Sequence, residues 1–298
     1  MNVMIEICRL CEEKGSLRVS HIIPKFVFGW LKKTSATGKI RRSISINKRV
    51  QDGLKLPWLC IDCEMKFSRW ERYFAQKIFY PLINNTDKIF YDSSLLKFCV
   101  SISWRVLQYQ LEENNIIISE QHAALVNNAL AKWRAFMFDE CDNPGSYEQH
   151  VYNISFEILT NHPTISPNIH RYLQRSIDID VITNDSFFIV YTKLPSILLI
   201  GYIGLNETGK WRETRVHVKE GMLSQVGGGC FPIELWNYIK MRADMVMELK
   251  NSISDTQVKL IDKTLLNNTN RTVKSDTWKA LERDILLFGS DEVFKKSK

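Results

Sequence analysis

Long apolar runs are what this 298-residue chain most conspicuously lacks. The longest, Pro195–Leu205, falls well short of the roughly 20 residues a helix needs to span a bilayer, so no membrane partner is expected. Met1–Lys14 carries charges and a cysteine pair where a signal peptide would carry an apolar core, and a cytoplasmic location is the expectation. No internal repeat and no low-complexity segment is present, which argues against solenoid and fibrous classes. Gly227-Gly228-Gly229 lacks the Lys-Ser/Thr ending and the strand context of a phosphate loop, so it is read as a turning loop without a nucleotide role. Cysteine is sparse as well. Seven of them in a cytosolic chain point to metal binding or free thiols rather than to disulfides, and Cys99, Cys141 and Cys230 have no close partner and read as small buried apolar residues.

What is present is a globular composition, 45% hydrophobic and 24% charged, with enough length for one large or two ordinary domains. The net charge of +7 is unevenly spread. Residues 1–80 hold 16 Lys and Arg against 7 Asp and Glu, whereas the remainder holds 24 against 26. A basic module on a near-neutral body suits a partner with a phosphate backbone.

Four of the cysteines form two Cys-x-x-Cys pairs, Cys8/Cys11 and Cys60/Cys63. Such a turn points both sulfurs at one ion, and two turns make the four-thiolate set that suits Zn²⁺. Between the pairs lies Ser20-His21-Ile22-Ile23-Pro24-Lys25. Leu17–Ile23 reads as a strand that Pro24 stops, Phe26–Lys33 as a short helix, and Leu54–Leu59 as an extended run into the second pair. From Lys39 to Val50 the period is two. Ile44, Ile46 and Val50 share one face, while Arg41, Ser43, Ser45, Asn47 and Arg49 share the other, as in a half-exposed strand. Lys25, Lys32, Lys33, Lys39, Arg41, Arg42 and Arg49 are the candidate phosphate contacts. Asp62 to about Tyr80 has helical spacing, with Glu64 and Glu71 on one stripe, Phe67, Trp70, Phe74 and Ile78 on an apolar one, and Arg69 and Arg72 opposite. Pro81 is expected to end that helix.

Taken together, Cys8-x-x-Cys11, a strand-terminal His followed by Ile-Ile-Pro, and Cys60-x-x-Cys63 opening a helix resemble the zinc-bearing branch of the HNH, or ββα-metal, endonucleases. The resemblance covers about residues 5–80. It implies a structural zinc on the four cysteines, His21 as the general base that activates water, and a second divalent ion, Mg²⁺ or Mn²⁺, on the scissile phosphate of a nucleic acid, DNA before RNA. Bacterial defence against foreign DNA is the setting it suggests. Two positions depart from the family pattern: Ser20 stands where an acidic ligand is usual, and Glu64 where His or Asn is usual. Glu64 and Glu71 are the candidate ligands for the second ion, and Asn47, with Asp52 as an alternative, is the candidate for the middle Asn of the motif. A group of bacterial proteins sharing a Ser-His-Ile-Ile-Pro-Lys-Phe run is similar too. The rival expectation is a catalytically inactive zinc module that binds nucleic acid or a partner protein.

Asn84-Asn85-Thr86-Asp87 suggests a boundary, giving a zinc-stapled treble-clef or ββα-metal-like module over 1–82 and an α+β body over 83–298. In the body, helices are predicted over Ser94–Glu113 and Ser119–Cys141. Strands of an antiparallel meander are predicted over Val151–Leu159, Ile177–Ile182, Phe187–Leu194, Ile197–Ile203 and Thr214–Val218, and C-terminal helices between about 232 and 288. The body is expected to sense, to position, or to bring together copies of the chain or a partner protein.

Overall fold

The computed structural model describes residues 6–113, 116, 118–154, 166–184, 187–205, 214–224 and 232–294. Gly227–Gly229 and Cys230 lie outside the described residues. A short hairpin, β1 (Glu6–Ile7) and β2 (Lys14–Gly15), carries the first cysteine pair in its turn. Next come β3 (Arg18–His21) and α1 (Lys25–Lys33), whose Val27 and Leu31 face inward at helical spacing and whose last turn places Lys32 and Lys33 near the negative end of the helix dipole.

The segment expected as one strand over Lys39–Val50 is a hairpin instead. β4 (Ile40–Arg41) pairs with β5 (Arg49–Val50) in the register Ile40↔Val50 and Arg41↔Arg49, and a 3₁₀ turn at Ser43–Ser45 lies between them. The alternation of apolar and polar residues is real, but it spans a turn. β6 (Lys55–Leu59) then runs antiparallel to β3, His21 opposite Lys55 and Arg18 opposite Leu59, and leads into α2 (Ile61–Tyr73). Pro81 does not stop the helical course. A π-helical turn over Phe74–Phe79 widens the coil, and Pro81 falls in the first turn of α3 (Tyr80–Ile83), where its missing N–H costs least.

The body opens with β7 (Lys88–Asp92), which the sequence did not suggest, and then α4 (Ser93–Glu112) and α5 (Glu120–Met137) close to their expected bounds. Asp92 caps α4 by accepting the Ser94 N–H. α4 is buried on nearly all sides, as a central helix must be when α2 packs on one face and the sheet on the other. That sheet is antiparallel in the order β8 (Gln149–Asn153), β11 (Ile197–Leu205), β10 (Phe187–Leu194), β9 (Asp178–Thr183), with the seven-residue α6 (Ile169–Arg175) between β8 and β9 in sequence. Alternate residues of β10 enter two cores: Phe188 and Val190 face α4, whereas Phe187, Ile189 and Tyr191 face α6 and α7 (Ile233–Asn251).

The predicted strand at Thr214–Val218 reduces to a single bridge from Arg215 to His150, and β12 (Glu220–Ser224) pairs with β7 instead. α8 (Asp255–Asn267), α9 (Thr269–Lys274) and α10 (Asp276–Phe294), the last kinked at Gly289 where φ is +79°, complete the described fold. Cys99 is buried as expected, but Cys141 is only half-buried, its thiol donating to the Asn143 carbonyl. No helix among the described residues is long and apolar enough to cross a membrane.

Packing does not break at residue 82. Cys8, Trp58, Phe67 and Phe74 belong to the same continuous core as Phe98, Trp104 and Val190. Phe74 stacks on Phe98 with ring centroids 3.8 Å apart, and Trp104 meets both Trp58 and Phe67 edge-on.

Candidate metal centre and histidine dyad

The two Cys-x-x-Cys turns converge. Their four sulfurs lie within 4.8 Å of one another, with Cys8 and Cys63 buried and Cys11 and Cys60 partly so. Cys11 and Cys60 are 3.8 Å apart, far beyond a disulfide bond and close to the edge of a tetrahedron built on metal–sulfur bonds of about 2.3 Å, which is about 3.8 Å. The first turn is tied by Glu12 N–H to Cys8 O at 2.9 Å, with Glu12 itself at φ +64°. Cys60 is the N-cap residue of α2, and its N–H donates to Cys8 Sγ at 3.3 Å, so the helix start delivers a donor to the opposite turn. The cluster could therefore hold a metal ion.

Its electrostatics ask for a cation. Burial pushes the Cys8 thiol up, but the backbone N–H groups of Cys11, Cys60 and Leu10 outweigh it and bring the pKa down to about 7. Burial, with neighbouring cysteines adding to it, pushes Cys11 and Cys63 above the usual thiol range, Cys63 the further of the two. A divalent ion at the centre would reverse that repulsion and favour all four as thiolates.

His21 ends β3 with its side chain 17% exposed, and Nε2 lies 2.9 Å from Asp52 Oδ2. Asp52 Oδ1 accepts the Gly53 N–H, and Lys55 Nζ stands 3.9 Å from Oδ2. Burial alone would raise the Asp52 pKa, but the hydrogen bond from His21, the Gly53 N–H and the Lys55 charge together bring it below the ordinary carboxylate value. An ionised Asp52 accepts the Nε2–H, which leaves the lone pair of a neutral imidazole on Nδ1.

Behind the histidine stands Arg105 of α4, 2% exposed. Its Nη1 donates both to the His21 carbonyl, at 2.8 Å, and to Glu71 Oε1, at 2.7 Å, while its guanidinium lies 4.8 Å from the Phe67 ring. Sequence reasoning missed Arg105, although a lone cation between Trp104 and Val106 in an apolar helix was the signal available.

The remaining expectations divide. Ser20 and Glu64, the two positions that depart from the family pattern, meet: Ser20 Oγ donates to Glu64 Oε2 at 2.5 Å. Glu71 is paired through Oε1 with the buried Arg105 rather than with Glu64's partner Ser20. Asn47 bonds elsewhere than to the dyad. Its side chain accepts the Ser254 N–H at 2.8 Å and donates to the Ser252 carbonyl, sealing the turn between α7 and α8. Asp52, held as the alternative, is the residue that pairs with the histidine.

Among the described residues, the four cysteines are the one group of three or more His, Cys, Asp or Glu side chains close enough to share an ion. Of the candidate phosphate contacts, Arg41 donates to the Ile46 carbonyl and to Gln257 Oε1, and Lys32 donates to the Gln51 carbonyl. Lys25, Lys33, Lys39 and Arg49 are exposed and Arg42 is half-buried. No protein-family model, curated protein or solved structure matches the chain.

Proposed function

We propose that the chain is a phosphodiester hydrolase acting on nucleic acid, with a structural zinc on Cys8, Cys11, Cys60 and Cys63 and with His21, oriented by Asp52, as the general base. The observation that carries this reading is the His21–Asp52 pair at 2.9 Å at the end of the first strand of a strand–strand–helix unit, β3, β6 and α2, whose helix start also supplies two of the four sulfurs. Hydrolysis of a phosphodiester needs a base that works near neutral pH, and imidazole held by a carboxylate meets that need. The contact of Ser20 with Glu64 adds support. The carboxylate that the HNH endonucleases carry on the strand is here offered from the helix, within one hydrogen bond of the strand position.

The test is cleavage of plasmid DNA and of RNA by the purified protein with added Mg²⁺ or Mn²⁺. His21→Ala is expected to lower the rate by roughly 10²–10⁴-fold with the metal of the cysteine cluster retained. Wild-type protein that cuts neither substrate with either ion, or a His21→Ala variant as fast as wild type, rules the reading out. One observation favours a second reading, a module that binds nucleic acid without cutting it: Glu71 is paired with the buried Arg105, and no second group of three or more ligand residues forms among the described residues. That reading retains binding and the cysteine-bound metal and lacks cleavage. Action against foreign DNA in a bacterial cell is the setting that the HNH resemblance suggests for either.

A further inference from the structure

A cavity of about 370 Å³ lies where the C-terminal end of α1 meets α9 and the start of α10. Its wall carries Lys33, Arg271 and Lys274 against a single acid, Asp276. That acid is already paired with Lys279, whose Nζ is 3.0 Å from its Oδ1. Arg271 donates to two neutral carbonyls, Ser35 O at 3.1 Å and Lys32 O at 3.2 Å, and meets no carboxylate among the described residues.

Capping accounts for part of this charge. The end of α1 exposes carbonyls, and Arg271, together with Arg175 on Leu31 O, satisfies them. It does not account for Lys33 and Lys274, which are exposed, line the cavity, and have no hydrogen bond or ion pair among the described residues. Two unneutralised lysines and a guanidinium held in place by carbonyls are the parts of an oxyanion seat.

The seat is joined to the dyad through one residue. The Lys32 carbonyl receives Arg271 at the cavity wall, while Lys32 Nζ donates at 2.6 Å to the carbonyl of Gln51, the residue before Asp52. Along α1 the separation from Lys25, four residues after His21, to Lys33 is about 12 Å, or roughly three to four nucleotide steps at 3.4 Å of axial rise per strand.

We infer that this cavity seats a backbone phosphate of the nucleic acid strand whose scissile bond lies at His21. The inference rests on the proposed nucleic-acid function and extends it: the C-terminal helices, not the basic module alone, grip the substrate.

The experiment measures binding of labelled single- and double-stranded oligonucleotides across a salt series, for wild type, His21→Ala and the double variant Lys33→Glu/Lys274→Glu. Both lysines are exposed, so the double variant is expected to fold, which its unfolding midpoint checks. It should bind several-fold more weakly, with the slope of log affinity against log salt reduced by about 1, while His21→Ala keeps the wild-type slope. An unchanged slope in the double variant overturns the inference. So does wild-type protein that binds no oligonucleotide, and so does calorimetric binding of inorganic pyrophosphate that depends on the two lysines while oligonucleotide binding does not, since the seat would then serve a free anion. Binding with the expected slope change but no cleavage under any divalent ion leaves the phosphate seat standing and removes the hydrolase reading.

Discussion

Replacing Arg105 tests how the dyad is held. Its Nη1 serves two acceptors at once, Glu71 Oε1 and the His21 carbonyl, and its Nε donates to Ser101 O at 3.2 Å. Arg105→Met keeps most of the volume over Phe67 and removes these three bonds together with a longer one from Nη2 to Ser101 Oγ at 3.5 Å. A fully buried pair broken on one side costs about 3–5 kcal/mol, because the remaining charge is stranded. Glu71 is 22% exposed, so water reaches it and the expected cost falls to about 2–3 kcal/mol. In Arg105→Met/Glu71→Leu no charge is left behind, and the residual loss is that of the His21 and Ser101 carbonyls, about 1 kcal/mol. The single variant should thus be less stable than the double by about 1–2 kcal/mol. Urea unfolding of metal-saturated protein measures it through the shift of the midpoint at constant m-value. Equal losses from Arg105→Met and from the double variant, or a single loss under about 0.5 kcal/mol, would refute the argument that a buried guanidinium ties α2 and β3 to α4.

Stripping the cysteine cluster with a strong chelator should release about one metal ion per chain and lower the unfolding midpoint, as should Cys63→Ser; a midpoint indifferent to both would identify four free thiols. Asp52 has a lowered pKa in the folded state, so its contribution is complete above the ordinary carboxylate range and is lost as pH falls through the depressed value. The stability gap between wild type and Asp52→Asn should therefore be widest near neutrality and close on acidification, and a gap independent of pH would contradict the pairing with His21. Asn47→Ala should cost about 1 kcal/mol through the lost Ser254 and Ser252 bonds and leave any nucleic-acid cleavage at the wild-type rate; a cleavage defect without a stability loss would return Asn47 to the catalytic set.

The long helices and the central strands were legible because their patterns are local. α4, α5, α7 and α8 follow apolar spacing at period 3.6, and β10 opens on the apolar run Phe187–Tyr191, of the kind a strand buried on both faces requires. The cysteine cluster was legible for the same reason, since each Cys-x-x-Cys is a local turn. What escaped depends on partners distant in sequence. β7 and β12 are strands only because each finds the other, with more than a hundred residues between them. α6 is seven residues long and holds together through Asp284 of α10, which accepts the His170 and Arg171 N–H groups. Glu71 looked like one of a pair with Glu64 on a helical stripe, yet one faces Ser20 and the other the buried Arg105, and no periodicity distinguishes a ligand from half of an ion pair. Arg41 and Asn47 alternated like an exposed strand face, and it is α8 and the turn before it that they bond to.

These long-range contacts bear on what the body does. The cysteine-bearing module is held from three directions: Arg134 of α5 grips the first turn through the Cys11 carbonyl and Glu12, Arg105 of α4 grips the His21 carbonyl, and Gln257 and Arg271 of the C-terminal helices grip the hairpin and the end of α1. The first two grips are made on residues of the cysteine cluster and the dyad, so the body fixes segments whose geometry matters. The ring of Phe74 against Phe98, and Phe67 against Trp104, adds apolar burial that the module cannot supply from its own residues. A fragment ending near residue 83 would expose Phe67, Phe74, Ile78 and Phe79 and lose Arg105 from Glu71. Even with its metal bound, such a fragment is expected to aggregate or to unfold non-cooperatively, and to give no dispersed amide spectrum. A stable, metal-bound fragment with His21 still paired to Asp52 would instead make the body an accessory, and the search for substrate contacts would return to the basic module alone.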